Sequence, residues 1–207
     1  MAALDFTHVF EPGDPARTLL LLHGTGGDEN DLVPLGRQLM PGAGILSPRG
    51  KVLENGMPRF FRRLAVGRLD IPDLLERTDE LAGFIAGAAE EYGFEPGGVV
   101  AVGLSNGANI AASLLFRRPG SLGAAALLRP MLPYPPAEDL DLDGTPVLVA
   151  SGGRDHYVPA AESEALKEAL ERHGAVVEFL FDPDAGHGLT QADLLKVRDW
   201  LATLPAG

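Results

Sequence analysis

The sequence predicts an α/β fold, a mostly parallel central sheet covered by helices on both faces. Three observations predict it. Short apolar runs alternate with helical patterns along the chain, the order that builds parallel strands joined by crossover helices. One run ends in Gly103-Leu104-Ser105-Asn106-Gly107, followed by a helix-favouring stretch. Two later runs end in loops that carry Asp155 and His187.

In chain order, a short strand is expected over residues 6–10 and the first central strand over 18–23, where Leu19, Leu20, Leu21 and Leu22 run together. A helix over 31–40 and a strand over 44–47 follow. Residues 48–69 hold Gly50, Gly56, Pro58 and Gly67 among charges and aromatics. They receive no regular element and are read as a long loop over the sheet's carboxyl end, of the kind that more often serves function than packing. Over 71–92, Leu74, Thr78, Leu81, Ile85 and Ala89 recur at helical steps and predict a buried stripe. Residues 98–103 are apolar and rich in valine, as a buried strand is, and 106–116 favour helix. Strands at 122–128 and 146–151 precede a helix over 159–173, which has Pro159 at its start and Gly174 after its last turn. A last strand spans 175–181. In the final helix, 190–204, Thr190 and Asp193 have capping-box spacing while Leu194, Val197 and Leu201 share a side. With no internal repeat and no low-complexity linker, residues 1–207 read as one domain.

Bulk numbers narrow the function classes. The 207 residues are 45% hydrophobic and 22% charged, ordinary for a globular chain and enough for one well-developed core. Seventeen Lys+Arg against 29 Asp+Glu give a net charge of −12, which argues against a nucleic-acid backbone or an anionic membrane as partner. There is no cysteine, so disulfides, a thiol nucleophile and thiolate metal sites are excluded. No His-Glu-x-x-His or similar ligand cluster occurs, and no metal or cofactor is expected. The stretch Met1–Phe6 has neither a basic region nor a long apolar run, so no secretory signal is expected. No run approaches the roughly 18 apolar residues of a membrane span. A cytoplasmic protein is the expectation.

The chemistry lies in the loops. Ser105 stands between two glycines where a strand should turn sharply into a helix, and only small residues fit two positions to either side of such a turn. This arrangement is the nucleophile elbow of an α/β-hydrolase. A serine hydroxyl needs a neighbouring base, and the base needs an orienting acid. In this fold they follow in the order Ser, Asp or Glu, His. Asp155 follows the strand at 146–151, and His187 follows the strand at 175–181 between Gly186 and Gly188. Read alone, Asp155 is also consistent with helix capping and His187 with a surface histidine. His156 precedes the last strand and has the wrong order for the base, while His173 suits a helix C-terminus. Asp182 and Asp184 share the His187 loop and lack a separate strand to place them. For the oxyanion, the backbone N–H groups of Asn106 and Thr25 are the candidates. Thr25 belongs to the glycine loop after residues 18–23, which His23 is expected to brace. That loop has neither a Gly-x-Gly-x-x-Gly pattern nor a Walker lysine, so nucleotide binding is disfavoured.

The segments Leu22–Glu29, Gly103–Asn109, Ser151–Asp155 and Ala185–His187 together resemble the phospholipase/carboxylesterase family of compact α/β-hydrolases, which includes acyl-protein thioesterases and small bacterial carboxylesterases. The resemblance covers most of the chain, with the motifs in family order. It implies a serine hydrolase acting on a small-molecule ester, with little or no cap, and it allows a homodimer. Asn106 stands where acyl-protein thioesterases usually carry glutamine. The phrase from Glu54 to Leu64 looks like the bacterial branch associated with small or aromatic esters. A thioesterase is the nearest alternative, and a non-catalytic hydrolase-fold binding protein is the alternative of another class. For the substrate pocket the candidates are Phe60, Phe61, Arg62, Met131 and Leu132, together with Arg59 and Arg63. The arginines are equally consistent with tying the loop down through local carboxylates.

Overall fold

The computed structural model describes residues 4–205. Strands β1 (His8–Glu11) and β2 (Asp14–Leu22) lead to α1 (Val33–Leu39) and β3 (Ala43–Pro48). Four short strands follow: β4 (Val52–Glu54), β5 (Met57–Arg59), β6 (Arg63–Ala65) and β7 (Arg68–Leu69). Helix α2 (Ile71–Tyr92) returns the chain to β8 (Val99–Leu104), and α3 (Asn106–Arg117) leads to β9 (Ala124–Leu128). The chain continues through β10 (Pro146–Gly152), α4 (Ala160–Arg172), β11 (Val176–Asp182) and α5 (Gln191–Leu201).

One seven-stranded sheet runs in the order β1-β3-β2-β8-β9-β10-β11. Only the edge pair β1–β3 is antiparallel; all other neighbours are parallel. β8, β9 and the Leu19–Leu22 run of β2 are apolar without interruption because both faces are covered there. Alternate side chains enter two cores. Leu20, Leu22, Val99, Ala101, Ala125, Leu127, Val147 and Val149 pack with residues of α2, α3 and α4. Leu19, Leu21, Val100, Val102, Ala126, Leu148 and Ala150 pack with Val33 and Leu39 of α1 and with Val197, Trp200 and Leu201 of α5. Leu19 to Leu22 are completely buried, each contributing about 1.5–3 kcal/mol relative to exposure. This is the mostly parallel, helix-covered sheet that the sequence predicts.

The element boundaries differ at a few ends. Strand β2 begins at Asp14 rather than 18, and α5 stops at Leu201 rather than 204. The capping box of Thr190 and Asp193 is present, with each side chain bonded to the other residue's N–H. Residues 48–69 are not a structureless loop. They fold into two antiparallel hairpins, β4–β5 and β6–β7. Asn55 and Gly56 link the first pair with φ of 52° and 81°, the two positive angles of a tight hairpin turn that Asn-Gly favours. That dipeptide was the readable signal. The flanking strands are too short for alternation to show.

Candidate active site

Ser105, Asp155 and His187 all lie beyond carboxyl ends of strands in the parallel sheet, after β8, β10 and β11. β8 is the middle strand. At its end, Ser105 adopts φ 53° and ψ −109°, a left-handed backbone that a non-glycine residue rarely holds without function. The turn is so tight that a Cβ on Gly103 would sit 2.6 Å from the Gly107 carbonyl oxygen, and one on Gly107 would press into the Leu22 carbonyl. Ser105 N–H donates to the Leu128 carbonyl at 2.8 Å, fixing the elbow against β9.

The three side chains form a line. His187 Nε2 lies 2.9 Å from Ser105 Oγ, and His187 Nδ1 lies 2.7 Å from Asp155 Oδ2. Asp155 is buried. Its other oxygen, Oδ1, accepts the N–H groups of Tyr157 and Val158 at 2.8 and 2.9 Å. Those bonds shape the turn ahead of α4, whose N-cap is Pro159 rather than Asp155. Asp182 Oδ1 instead accepts the N–H groups of Asp184 and Ala185, and Asp184 pairs with Arg154 on the surface. Neither contacts the His187 ring. Among the described residues no group of three or more His, Asp or Glu side chains could hold a metal ion.

Thr25 and Asn106 both line the cleft in front of Ser105, and neither backbone N–H has a hydrogen-bond acceptor among the described residues. The glycine loop that carries Thr25 is held from two sides. Gly26 N–H donates to Pro58 O at 2.9 Å, and Thr25 Oγ1 accepts from Arg59 Nη1. His23 braces the base of this loop from a buried position. Its Nε2 accepts Gly50 N–H at 2.9 Å while Nδ1 donates to Gly24 O at 2.7 Å, so the ring is neutral with its proton on Nδ1. Burial holds its pKa below the ordinary histidine range.

The cleft has a volume of about 400 Å³. Met131 lines it, along with Arg59, Arg63, Val66, Leu69, Asn109, Tyr157 and Val158. Four candidate pocket residues lie elsewhere. Phe60 and Phe61 are buried in the core, Phe60 against the His23 ring at 4.6 Å between centroids. Leu132 packs against the same core. Arg62 points to solvent and pairs with Asp70 and Asp73 at 3.1 and 3.3 Å. Of the arginine- and phenylalanine-rich segment, Arg59 and Arg63 line the cleft and Phe60, Phe61 and Arg62 do not. The hairpins turn Arg59 and Arg63 toward the cleft, the phenylalanines inward and Arg62 outward. Tyr157 and Val158 were missed because they follow Asp155 in a turn with no periodicity of its own.

Comparison with known proteins agrees with this architecture. The sequence profile of the Dienelactone hydrolase family matches residues 74–195. MhqD of Bacillus subtilis (strain 168), named as a hydrolase, is 49% identical over 193 residues, 93% of this chain and 96% of that protein. The crystal structure of the Bacillus cereus carboxylesterase superposes with a TM-score of 0.92 at 48% identity, covering 96% of this chain and 94% of that one. A carboxylesterase from Mesorhizobium loti gives a TM-score of 0.86 at 35% identity, covering 93% and 91%. The expected likeness to small bacterial carboxylesterases is thus borne out. The chain belongs to the dienelactone hydrolase family of α/β-hydrolases.

Proposed function

We propose that this protein is a serine carboxylesterase acting on small or medium acyl or aryl esters. The observation that carries the reading is the unbroken line from Ser105 Oγ through His187 to buried Asp155, at 2.9 and 2.7 Å. His187 Nε2 takes the Ser105 proton as Oγ attacks the ester carbonyl. Asp155 keeps the other imidazole proton on Nδ1 and stabilises the imidazolium. The negative oxygen of the tetrahedral intermediate is received by the N–H groups of Thr25 and Asn106, which have no competing acceptor among the described residues. His187 then returns its proton to the leaving alcohol, and the acyl group remains on Ser105. Water, giving a proton to His187, attacks that acyl-enzyme; the bond to Ser105 Oγ breaks, His187 returns the proton to Oγ, and the acid is released.

The carboxylesterases of Bacillus cereus and Mesorhizobium loti support the reaction class. A cleft of about 400 Å³ with apolar Val66, Leu69, Met131 and Val158 in its wall suits a compact acyl or aryl group. A fluorophosphonate probe should label Ser105, and Ser105→Ala should abolish both labelling and ester turnover. Across p-nitrophenyl esters of rising acyl length, the highest kcat/KM should fall at short or medium chains. A maximum at long chains would overturn the size assignment, and full turnover by Ser105→Ala would overturn the mechanism.

A further inference from the structure

Among the described residues, the largest completely buried side chain is charged. Arg129, at the end of β9, is 0% exposed. Its own backbone is left-handed at φ 55°, a conformation that costs a branched or long residue free energy and persists when its surroundings impose it. The proposed mechanism gives this arginine no task, and burying a guanidinium away from water is expensive unless its donors are met.

The donors are met in an informative way. Nε donates to the Gly186 carbonyl at 2.9 Å and Nη2 to the Gly188 carbonyl at 3.3 Å. These are the carbonyls that bracket His187. Nη1 and Nη2 also donate to Asp193 Oδ1 and Oδ2 at 3.3 and 2.6 Å. Asp193 is itself 1% exposed and anchors the first turn of α5 by accepting Thr190 N–H at 2.8 Å. On the other side, Arg129 N–H donates to Ala150 O at 2.8 Å, while the preceding carbonyl, of Leu128, accepts Ser105 N–H. One dipeptide therefore touches the serine elbow through its backbone and the histidine loop through its side chain.

We propose that Arg129, neutralised by Asp193, is a positioning residue that sets the His187 ring against Ser105. His187 lies between two glycines, whose backbone torsions are freer than those of any other residue. Left to itself, such a loop would spread the imidazole over many placements. A guanidinium presents its N–H groups as a rigid planar fork. It can hold the peptide before His187 and the peptide after Gly188 at once while the carboxylate of Asp193 fixes the fork. A lysine ammonium keeps the charge and the partnership with Asp193 but is a single point on a flexible stem. It cannot hold both carbonyls in a fixed relation.

The inference rests on the serine-histidine reading, and the test separates the two. Arg129→Lys, the charge-free pair Arg129→Met with Asp193→Asn, and Ser105→Ala are compared with the native protein. The readouts are denaturant midpoint, kcat, KM and fluorophosphonate inactivation rate, with active sites counted by complete labelling. For Arg129→Lys and the charge-free pair, kcat per labelled site should fall about 10- to 100-fold, the scale of a small misplacement of a reacting group. KM should stay within about twofold, the inactivation rate should drop in step with kcat, and the downfield proton resonance of His187 Nδ1–H should broaden or vanish. Arg129→Lys should retain a near-native midpoint. The proposal is overturned if either folded variant keeps native kcat per labelled site, or if both fail to fold, which assigns the pair to stability alone. Turnover by Ser105→Ala would remove the underlying reading and this inference with it. An inactive Ser105→Ala beside an unimpaired Arg129→Lys would remove only the inference.

Discussion

Two regions meet at the rim of the sheet and line one cleft, yet they are built differently. The Ser105, Asp155 and His187 loops hang directly from β8, β10 and β11, strands whose every neighbour is in parallel register. The hairpins of residues 48–69 make no pairing with that sheet. Side-chain and backbone bonds hold them instead to the loop after β2 and to helices α3 and α2: Gly50 to His23, Phe60 N–H to Asn106 Oδ1 at 2.7 Å, and Arg62 N–H to Asp73 Oδ2 at 2.6 Å. The difference separates two duties. Strand ends fix atoms that must meet within hydrogen-bond distance, and the hairpins supply a wall whose outer residues stay exposed, Leu53, Met57, Leu64 and Val66 among them.

Substitutions in the two regions should therefore fail in different ways. The largest effect is expected from Asp155→Asn, which leaves the turn in place but permits the wrong imidazole tautomer. kcat should fall by about 10⁴-fold with little change in KM, as steady-state kinetics on one aryl ester would show. Gly107→Ala should come next. The new methyl meets the Leu22 carbonyl, forcing α3 away from β2, and the cost is about 1–3 kcal/mol of stability with a loss of kcat from a displaced elbow. Chemical denaturation and kinetics on the same preparation measure both. On the hairpin side, Val66→Asp should raise KM for apolar esters by up to about tenfold, the order of one lost apolar contact. There kcat should remain within about twofold, and a large loss of kcat would erase the proposed division of duties.

The smallest effect tests the tether between the regions. Burial keeps the His23 pKa below its ordinary value of 6.5 when folded, so the unfolded chain takes up that proton first as pH falls. Its contribution is complete above about pH 6.5 and declines as pH drops toward and through the folded value. The denaturant midpoint should therefore decrease on acidification below about pH 6.5, less steeply in His23→Gln than in the native protein. Equal slopes would deny His23 that role.

The same contrast explains what the sequence made legible. Leu19 to Leu22 and Val99 to Val102 are continuous apolar runs, and each announces a strand buried on two faces. The order of Ser105, Asp155 and His187 after such runs located the side chains that the fold brings together. Across 48–69, strands of two or three residues carry no period. Whether Phe60, Phe61 or Arg62 faces the cleft is decided by hairpin twist and by distant partners such as His23 and Asp73. Asn55-Gly56 marked the turn without revealing its orientation. Arg129 shows a different limit, since a lone arginine after an apolar strand reads as a surface residue until its partners sixty residues downstream are in place.

Asn106 joins the two regions through a single residue, its N–H proposed to receive the oxyanion and its side-chain oxygen bonded to the peptide of Phe60. The recognition wall is for that reason not a detachable module. A transplanted hairpin pair from a relative would have to bring an N–H to that same oxygen, or the part of the enzyme that steadies developing charge would shift with the part that chooses the substrate. Diversification of this wall is thereby confined to its outer turns, while the stem at Phe60 stays under the constraints of the chemistry.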